Sequence, residues 1–260
     1  MDGDPATRDE AALGQIHEAL RLSLEAMGEE REPIEAGWAL RTRSLPQVWT
    51  LNQIHVTRPV AADELLALAE THQGDLPYRH VVIEDDRLAA PVEKDMAAAG
   101  WVVDAEVVMS LVAPPDRQVD TAAVVELTED EMLGLMRRWL LEERPGTSAQ
   151  GLDQVAEYHR REGRLWEEIR FGVRDEHGAA LAGTKLRTRG RLCWVEDVYT
   201  VPEARGRGVA RALVTRATAQ AREARPAHTF ILADDHDWPK TLYRKLGFRP
   251  LGWMRTLHRS

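Results

Sequence analysis

The chain has 260 residues, of which 43% are hydrophobic, and a formal net charge of −9 at pH 7. The acidic balance argues against general nucleic-acid binding, and the single cysteine, Cys193, excludes an internal disulfide framework and a cysteine-cluster metal site. No apolar run reaches the roughly eighteen residues of a membrane span. Because the N-terminus also lacks the pattern of a signal peptide, we expect a cytoplasmic protein that needs no metal.

The charge is divided unevenly along the chain. Residues 1–120 hold 10 Lys+Arg against 23 Asp+Glu, a net charge of −13, and residues 121–260 carry a net charge of +4. The length exceeds the usual size of one domain, about 100–150 residues. We therefore predict two domains, residues 1–115 and 116–260, joined by a linker at Ala113 to Asp116. The acidic half is either solvated surface or favours a cationic amine as substrate.

The first half alternates helical and strand patterns. Residues 1–10 are predicted to be disordered, and residues 28–35 to be a charged linker. The predicted elements are a helix over 11–27, a hairpin over 38–43 and 47–56, a helix that Asp63 caps and that runs to 72, a strand over 81–83, a helix over 91–99 and a strand over 101–112.

The second half begins with a strand and two helices. Thr128 and Glu131 have the spacing of a capping box, which predicts a helix start at this point. The predicted elements are a strand over 123–127, helices to 143 and over 152–161, strands over 169–174, 181–188 and 192–201, a long helix from 209, a strand over 229–233, a short helix over 239–246 and a final strand from 248.

The most informative stretch is the junction between the strand over 192–201 and the helix that follows. It contains Arg205-Gly206-Arg207-Gly208 directly before the helical pattern. Free backbone N–H groups and the positive end of the dipole make a helix N-terminus an anion site. Glycines allow a phosphate to approach the backbone closely, and the arginines, with Arg211, add positive charge. The pattern predicts a phosphate-binding turn.

This turn resembles the pyrophosphate loop of the GCN5-related N-acetyltransferases, written Arg/Gln-x-x-Gly-x-Gly/Ala, with Arg205, Gly208 and Ala210 at the signature positions. A second block of the family, Leu-Tyr-x-x-x-Gly-Phe, is matched by Leu242-Tyr243 and Leu246-Gly247-Phe248. The resemblance extends from about Val124 to the C-terminus. It implies an α/β fold with a mixed, mostly antiparallel sheet flanked by helices, and transfer of an acetyl group from acetyl-CoA to an amine.

The resemblance also implies roles for individual residues. Backbone groups of the strand before the turn would hold pantetheine and the thioester oxygen, at Val198, Tyr199 and Thr200. The pyrophosphate would be held at the turn and the first helical residues, namely Arg205, Gly206, Arg207, Gly208, Val209, Ala210 and Arg211. Tyr243 matches the tyrosine often assigned as the general acid near sulfur, or else it packs beside the cofactor.

The general base is less specified by the sequence. Glu196 and Asp197 precede the acetyl-binding residues, and strand alternation directs them to opposite faces. Either one faces the acceptor, with a pKa that burial beside Trp194 could raise, or both pair with nearby arginines. Weaker alternatives for the base are Asp234, Asp235 and His228. The two helices after residue 127 would form part of the acceptor site, with Trp139, Tyr158, His159 and Trp166 as site or core residues.

The two halves share an element order. Leu40-Arg41-Thr42-Arg43 is repeated at 186–189, and Gly100-Trp101 corresponds to Gly247-Phe248, an offset of about 147 residues that suggests a tandem repeat. The N-terminal half lacks the glycine turn, because residues 57–61, which follow Val56, contain no glycine. We therefore predict a degenerate first copy that binds no coenzyme A, although an unrelated α/β domain remains the alternative.

The function predicted from these features is N-acetyl transfer from acetyl-CoA directly to a primary amine of a small molecule or peptide. A non-catalytic acyl-CoA-binding or sensing module is the alternative. We expect no nucleic acid and no membrane as partner. The sequence leaves open the acceptor, the general base, and whether the protein is a monomer or a homodimer.

Overall fold

The computed structural model describes residues 5–260, which form two compact units. The first unit comprises the residues up to 108 together with 233–237 and 250–260, and the second comprises 109–232 and 238–249. The first unit therefore includes two C-terminal segments that a division at residue 115 assigns to the other domain. The predicted disorder of residues 1–4 lies outside the described residues.

The described residues form seven α-helices and eleven strands. The helices are α1 (Pro5–Met27), α2 (Ala62–Gln73), α3 (Asp86–Ala98), α4 (Glu129–Glu143), α5 (Ala149–Gly163), α6 (Val209–Glu223) and α7 (Pro239–Lys245). The strands are β1 (Glu30–Ile34), β2 (Gly37–Arg41), β3 (Ile54–Val56), β4 (Arg79–Ile83), β5 (Val102–Leu111), β6 (Val125–Glu126), β7 (Glu167–Arg174), β8 (Ala180–Arg189), β9 (Leu192–Thr200), β10 (His228–Asp234) and β11 (Phe248–Arg259).

The sheet of the first unit has the strand order β1-β2-β3-β4-β11. The β1–β2 and β2–β3 pairs are antiparallel, β3 and β4 are parallel, and Arg255–Arg259 of β11 pair antiparallel with β4. Helices α2 and α3 pack on this sheet because their apolar residues recur on one face. The buried core of this unit includes Ile54, Leu65, Ala69, Val81, Ile83, Ala89, Val92 and Met96.

The sheet of the second unit has the strand order β10-β9-β8-β7-β6. The three pairs from β6 to β9 are antiparallel, and β9 and β10 are parallel. Helices α4 and α6 both pack on β8 and β9. The core beneath α4 contains Leu127, Met132, Leu135, Met136, Tyr199, Val201 and Ala204. Both units thus have the predicted class, a mixed and mostly antiparallel sheet with helices.

Helix α4 confirms the predicted capping box. The Thr128 backbone N–H donates to Oε2 of Glu131 at 2.8 Å, and the Glu131 backbone N–H donates to the Thr128 hydroxyl at 3.3 Å. Arg174 also donates to this glutamate, at 2.6 Å through Nε. These bonds lower the pKa of Glu131 to about 2. Two of the N–H groups that a helix start leaves free are therefore satisfied within the cap.

Several element predictions in the first unit were wrong. The segment read as a linker forms β1, an exposed edge strand whose charged residues and Pro33 conceal the strand pattern. Helix α1 begins at Pro5, so the disorder expected for residues 5–10 is wrong as well. Helix α2 has Ala61 at its N-cap and no side-chain cap, and Asp63 lies in its first turn.

Helix α3 begins earlier than predicted. The sequence placed Pro91 at the first helical position, where proline is common. In the structure the helix starts at Asp86, because the Asp85 side chain caps it by accepting from the Arg87 backbone N–H, and Pro91 lies inside the helix. The cap was the stronger local signal.

The repeat hypothesis stays a prediction, and the element order agrees with it. The first half has the succession β4–α3–β5, and the second half has β10–α7–β11. The helices of both successions are followed by a glycine in the left-handed region, Gly100 with φ 84° and Gly247 with φ 95°. Such a glycine allows the chain to leave a helix at this angle.

Across residues 5–260, no helix is both long enough and apolar enough to cross a membrane.

Candidate functional site

The structure has the strand, glycine turn and helix in the predicted order. Strand β9 ends at Thr200, a single 3₁₀ turn covers Pro202–Ala204, and α6 begins at Val209. Gly206 and Gly208 lie in the left-handed region, with φ of 76° and 78°. Glycine adopts this conformation without the cost that a side chain would impose, so the shape of the turn depends on these two residues.

The first turn of α6 exposes its backbone donors. The first hydrogen bond of the helix runs from the Ala212 N–H to the Gly208 carbonyl at 3.1 Å, and no side chain caps this end. The N–H groups of Val209, Ala210 and Arg211 therefore have no intrahelical acceptor. Together with the positive end of the helix dipole, they form an anion site.

The three arginines around this site are not equivalent. Arg205 donates through Nε to the Thr200 carbonyl at 2.9 Å and pairs with Glu142 at 2.7 Å. Arg211 is buried, and its Nη1 lies 2.6 Å from Oδ1 of Asp116, whose pKa this hydrogen bond lowers. Arg207 is exposed and has no ion pair among residues 5–260. Of the three, only Arg207 is free to meet an anion without breaking an existing contact.

Strand β9 extends beyond its pairing with β10. The parallel register runs from Leu192–His228 to Val195–Ile231, and β9 continues through Glu196–Thr200. The backbone of Val198, Tyr199 and Thr200 therefore lies outside the parallel ladder. Backbone groups on such an unpaired edge can bind an extended ligand in the manner of an added strand.

A β-bulge interrupts β9 at the same point. On β8, Gly183 pairs with Tyr199 and Lys185 pairs with Glu196, so that Asp197 and Val198 lie opposite one residue. Asp197 has a positive φ of 53°, which is uncommon for a residue with a side chain. Bulges occur next to active sites, where they redirect side chains. This one overturns the prediction from alternation that Glu196 and Asp197 point to opposite faces.

Both carboxylates contact cations that share one face of β8. Asp197 pairs with Lys185, with Oδ2 and Nζ 2.5 Å apart, and Glu196 contacts Nη1 of Arg187. Lys185 and Arg187 are two positions apart on the strand and therefore point the same way. The ion pairs agree with the sequence-based alternative in which these carboxylates bind nearby cations.

Arg187 is the centre of a buried cluster that the sequence did not reveal. We call Glu162, Glu168, Arg187 and Glu196 the Arg187 cluster. Nη1 of the guanidinium contacts Oε2 of both Glu162 and Glu196, and Nε donates to Oε2 of Glu168 at 2.8 Å. Burial raises the pKa of Glu196 well above its ordinary value, and although Arg187 opposes this shift, Glu162 adds to it.

A second buried group adjoins the Arg187 cluster. Nδ1 of His159, on α5, lies 3.0 Å from Nζ of Lys185 and 3.7 Å from Oδ2 of Asp197. Burial lowers the pKa of His159 to about 3, and Lys185 contributes to the shift, so the imidazole is neutral. Burial opposes ionisation of Asp197, but Lys185 outweighs it and the pKa of Asp197 is lowered. Asp197 is therefore a carboxylate and a weak base.

The predicted residues Tyr199, Tyr243 and Trp166 lie in the second unit as well, whereas Asp234 and Asp235 belong to the first. Tyr199 donates its hydroxyl to Glu142 at 3.0 Å and stacks on Trp139 at 5.9 Å, so its side chain belongs to the core under α4. Tyr243 is a buried residue of α7, and its ring lies 6.2 Å from that of Phe248. Its role as a general acid stays a prediction. Trp166 packs edge-on against Trp194 at 5.8 Å.

The sequence contains one signal for the cluster. Lys185 and Arg187 alternate with Thr184, Leu186 and Thr188 in a predicted strand. Two cations on one face of a strand between buried neighbours require buried partners. Their carboxylates come from α5, β7 and β9, and only the folded sheet brings these elements together.

Among residues 5–260 there is no group of three or more histidine, cysteine, aspartate or glutamate side chains that could hold a metal ion.

Comparison with known proteins identifies the segment that carries this site. Residues 155–250 match a family model described as an acetyltransferase (GNAT) domain. The chain contains a GNAT domain. The matched segment includes β9, the glycine turn, α6 and α7. It also contains every residue that the resemblance assigned to acetyl-CoA binding and catalysis.

Solved structures share the fold over most of the chain. A GCN5-related N-acetyltransferase from Kribbella flavida is 17% identical with a TM-score of 0.54, and the match covers 92% of this chain and 95% of that one. A protein assigned to the GNAT family from Novosphingobium aromaticivorans is 24% identical with a TM-score of 0.50, covering 79% and 83%. A conserved protein of unknown function from Staphylococcus epidermidis is 13% identical with a TM-score of 0.61, covering 89% and 94%. No curated protein matches the chain.

Proposed function

We propose that the protein is an N-acetyltransferase that transfers the acetyl group of acetyl-CoA directly to a primary amine of a small molecule or peptide. The observation that carries the proposal is the junction of β9 and α6. An uncapped helix N-terminus with two left-handed glycines follows directly on a strand that extends beyond its parallel ladder. The helix N-terminus suits the pyrophosphate of coenzyme A. The open edge of the strand suits the amides of pantetheine, which lies between the pyrophosphate and the thioester.

The pyrophosphate is assigned to the turn. The N–H groups of Val209, Ala210 and Arg211 would donate to its oxygens, and Arg207 would add the free positive charge. Arg205 and Arg211 act differently in this proposal, because their side chains hold the turn through Glu142 and Asp116. The backbone of Val198, Tyr199 and Thr200 would bind pantetheine along the open edge of β9.

Acetyl transfer requires three tasks of the protein: the amine must lose a proton, the thioester carbonyl must be polarised, and the departing thiolate must gain a proton. Glu196 is the better candidate for the base, because its raised pKa makes it a stronger proton acceptor than Asp197, whose pKa is lowered. Backbone N–H groups at the β9 bulge would polarise the carbonyl. Tyr243 would protonate the thiolate.

We propose one acetyl-CoA site per chain, in the second unit. In the first unit, all three residues of β3 pair with β4, so no strand edge is left open past the parallel ladder. The segment after β3 has no glycine, and the N–H groups of Thr57 and Arg58 both donate to the Ala36 carbonyl. Neither half of the acetyl-CoA binding arrangement is present there among the described residues.

The acceptor is proposed to be a small amine, with cationic amines favoured by the acidic first half of the chain. Nucleic acids and membranes are not proposed as partners, and a monomer or a homodimer fits the proposal equally.

A non-catalytic acyl-CoA-binding module is the second candidate. It is favoured by one observation, that Glu196 and Asp197 are both engaged in ion pairs. A thiol-release assay over a panel of cationic and neutral primary amines separates the two. We expect amine-dependent release of free coenzyme A. Tight binding of acetyl-CoA with no release for any amine would favour the module.

A further inference from the structure

The members of the Arg187 cluster differ in their access to solvent. The side chains of Arg187, Glu162 and Glu168 are 0%, 3% and 4% exposed, and that of Glu196 is 18% exposed. Glu196 also lies on β9 at the bulge, where the parallel ladder has ended. Of the three carboxylates that share the guanidinium, Glu196 is the one that can exchange a proton with a ligand.

The charges around Glu196 do not balance. From α5 it faces Glu162 and Tyr158, and the neutral His159 of the same helix contacts Lys185 and Asp197. From β7 and β8 it faces Glu168, Lys185 and Arg187, and Asp197 follows it on its own strand. Lys185 is engaged by Asp197 at 2.5 Å, and Glu168 is also engaged by Arg170 at 2.7 Å.

Arg187 is therefore the positive charge that remains for the carboxylates of Glu162 and Glu196, and both carboxylates contact the same guanidinium nitrogen. Oε2 of Glu162 and Oε2 of Glu196 each contact Nη1. One guanidinium cannot fully neutralise two buried carboxylates, and the excess negative charge is relieved when one of them takes up a proton. Because Glu162 is sealed from solvent and Glu196 is not, that proton belongs to Glu196.

We propose that Glu162 is a positioning residue for acetyl transfer: by sharing Arg187 with Glu196, it keeps Glu196 able to take a proton from the acceptor amine. The inference rests on the proposed function. In the reaction an N–H proton of the amine passes to the Glu196 carboxylate, the nitrogen lone pair forms the bond to the carbonyl carbon, the C–S bond breaks, and the thiolate takes its proton from Tyr243. Without Glu162, Nη1 of Arg187 would contact Glu196 alone and hold it as a weakly basic carboxylate.

The test is the pH profile of turnover in Glu162→Gln. Glutamine keeps the size of the side chain and can still accept the 3.2 Å hydrogen bond from the Tyr158 hydroxyl. Removing the competing charge lowers the pKa of Glu196, so the acid limb should move to lower pH by about one unit. At pH values below the acid limb of the wild-type profile, the variant should therefore turn over faster than the wild type. A purely structural role would lower the rate and leave the limb in place.

The matched control is Glu157→Gln. Glu157 lies on the same helix and forms an ion pair with Arg161 at 3.3 Å, and it is not a member of the Arg187 cluster. The same chemical change there should leave the acid limb unmoved. An unmoved limb in folded, active Glu162→Gln overturns the proposal, as does an equal movement in both variants.

Two further measurements cover the other outcomes. If the wild type transfers no acetyl group, the proposed function fails, and a ¹³C NMR titration of the Glu196 carboxyl, assigned with Glu196→Gln, decides the inference. A titration midpoint that stays in place in Glu162→Gln overturns it. If Glu162→Gln does not fold, Arg170→Gln removes the second partner of Glu168, which then competes more strongly for Arg187. The Glu196 midpoint should then move to higher pH, and no movement overturns the proposal.

Discussion

Replacing Gly208 by alanine should weaken acetyl-CoA binding at a site where the fold has room for the new methyl group. Apart from Gly208 itself and its two chain neighbours, no atom lies within 4 Å of the position that a Cβ would take at this residue. That space lies at the N-terminus of α6, where we place the pyrophosphate. The new methyl group would therefore contact the bound pyrophosphate and would not clash with other residues of the protein.

The magnitude follows from the contacts at risk. A hydrogen bond from a backbone N–H to a charged acceptor contributes about 1.5–3 kcal/mol. Losing one such contact predicts a loss of affinity of about 10- to 100-fold. Alanine in the left-handed region also costs about 1–2 kcal/mol of folding stability, because φ at this residue is 78°.

Gly190→Ala is the matched control for this cost. Gly190 lies in the turn between β8 and β9, has φ of 58°, and likewise has no atom within 4 Å of a new Cβ. Both variants should lose similar stability in denaturant unfolding, but only Gly208→Ala should bind acetyl-CoA more weakly in calorimetry. Equal affinities for the two folded variants would refute the assignment of the turn.

The other predictions concern catalysis, stoichiometry and stability. Tyr243→Phe should reduce turnover by roughly 10²-fold, with nearly unchanged acetyl-CoA affinity in calorimetry, if the hydroxyl is the general acid; near-normal turnover would make Tyr243 a packing residue. Calorimetric titration should give one acetyl-CoA per chain, and a stoichiometry of two would contradict the proposal that the first unit binds no acetyl-CoA. Thr128→Ala should lower the free energy of unfolding by about 1 kcal/mol through loss of the capping box, and an unchanged denaturation midpoint would show that the cap contributes nothing.

The sequence predicted the parts of the site that depend on local backbone chemistry. A strand, two glycines and a helix start are specified within a few residues, so the turn at Gly206 and Gly208 could be located without a structure. The capping box at Thr128 was identified for the same reason. Such signals involve neighbours along the chain, and tertiary contacts seldom reverse them.

The features that the sequence did not predict depend on contacts between distant residues. The bulge at Asp197 changes the direction of a side chain, and alternation alone predicts the opposite face. Arg205 and Arg211 stay predicted phosphate ligands because they flank the turn, but their ion pairs with Glu142 and Asp116, both far along the chain, could not be read from the sequence. The Arg187 cluster joins α5, β7, β8 and β9, and although the alternation on β8 indicates its cation, no local pattern specifies the carboxylates.

Direct transfer from acetyl-CoA to a primary amine can be tested by following a labelled acetyl group. The protein is mixed with acetyl-CoA that carries the label and with an amine that supports thiol release, and protein and amine are analysed by mass spectrometry. We predict labelled amine in an amount equal to the free thiol and no label bound covalently to the protein. Thiol release without an acetylated amine, or label retained on the protein as an intermediate, would contradict it.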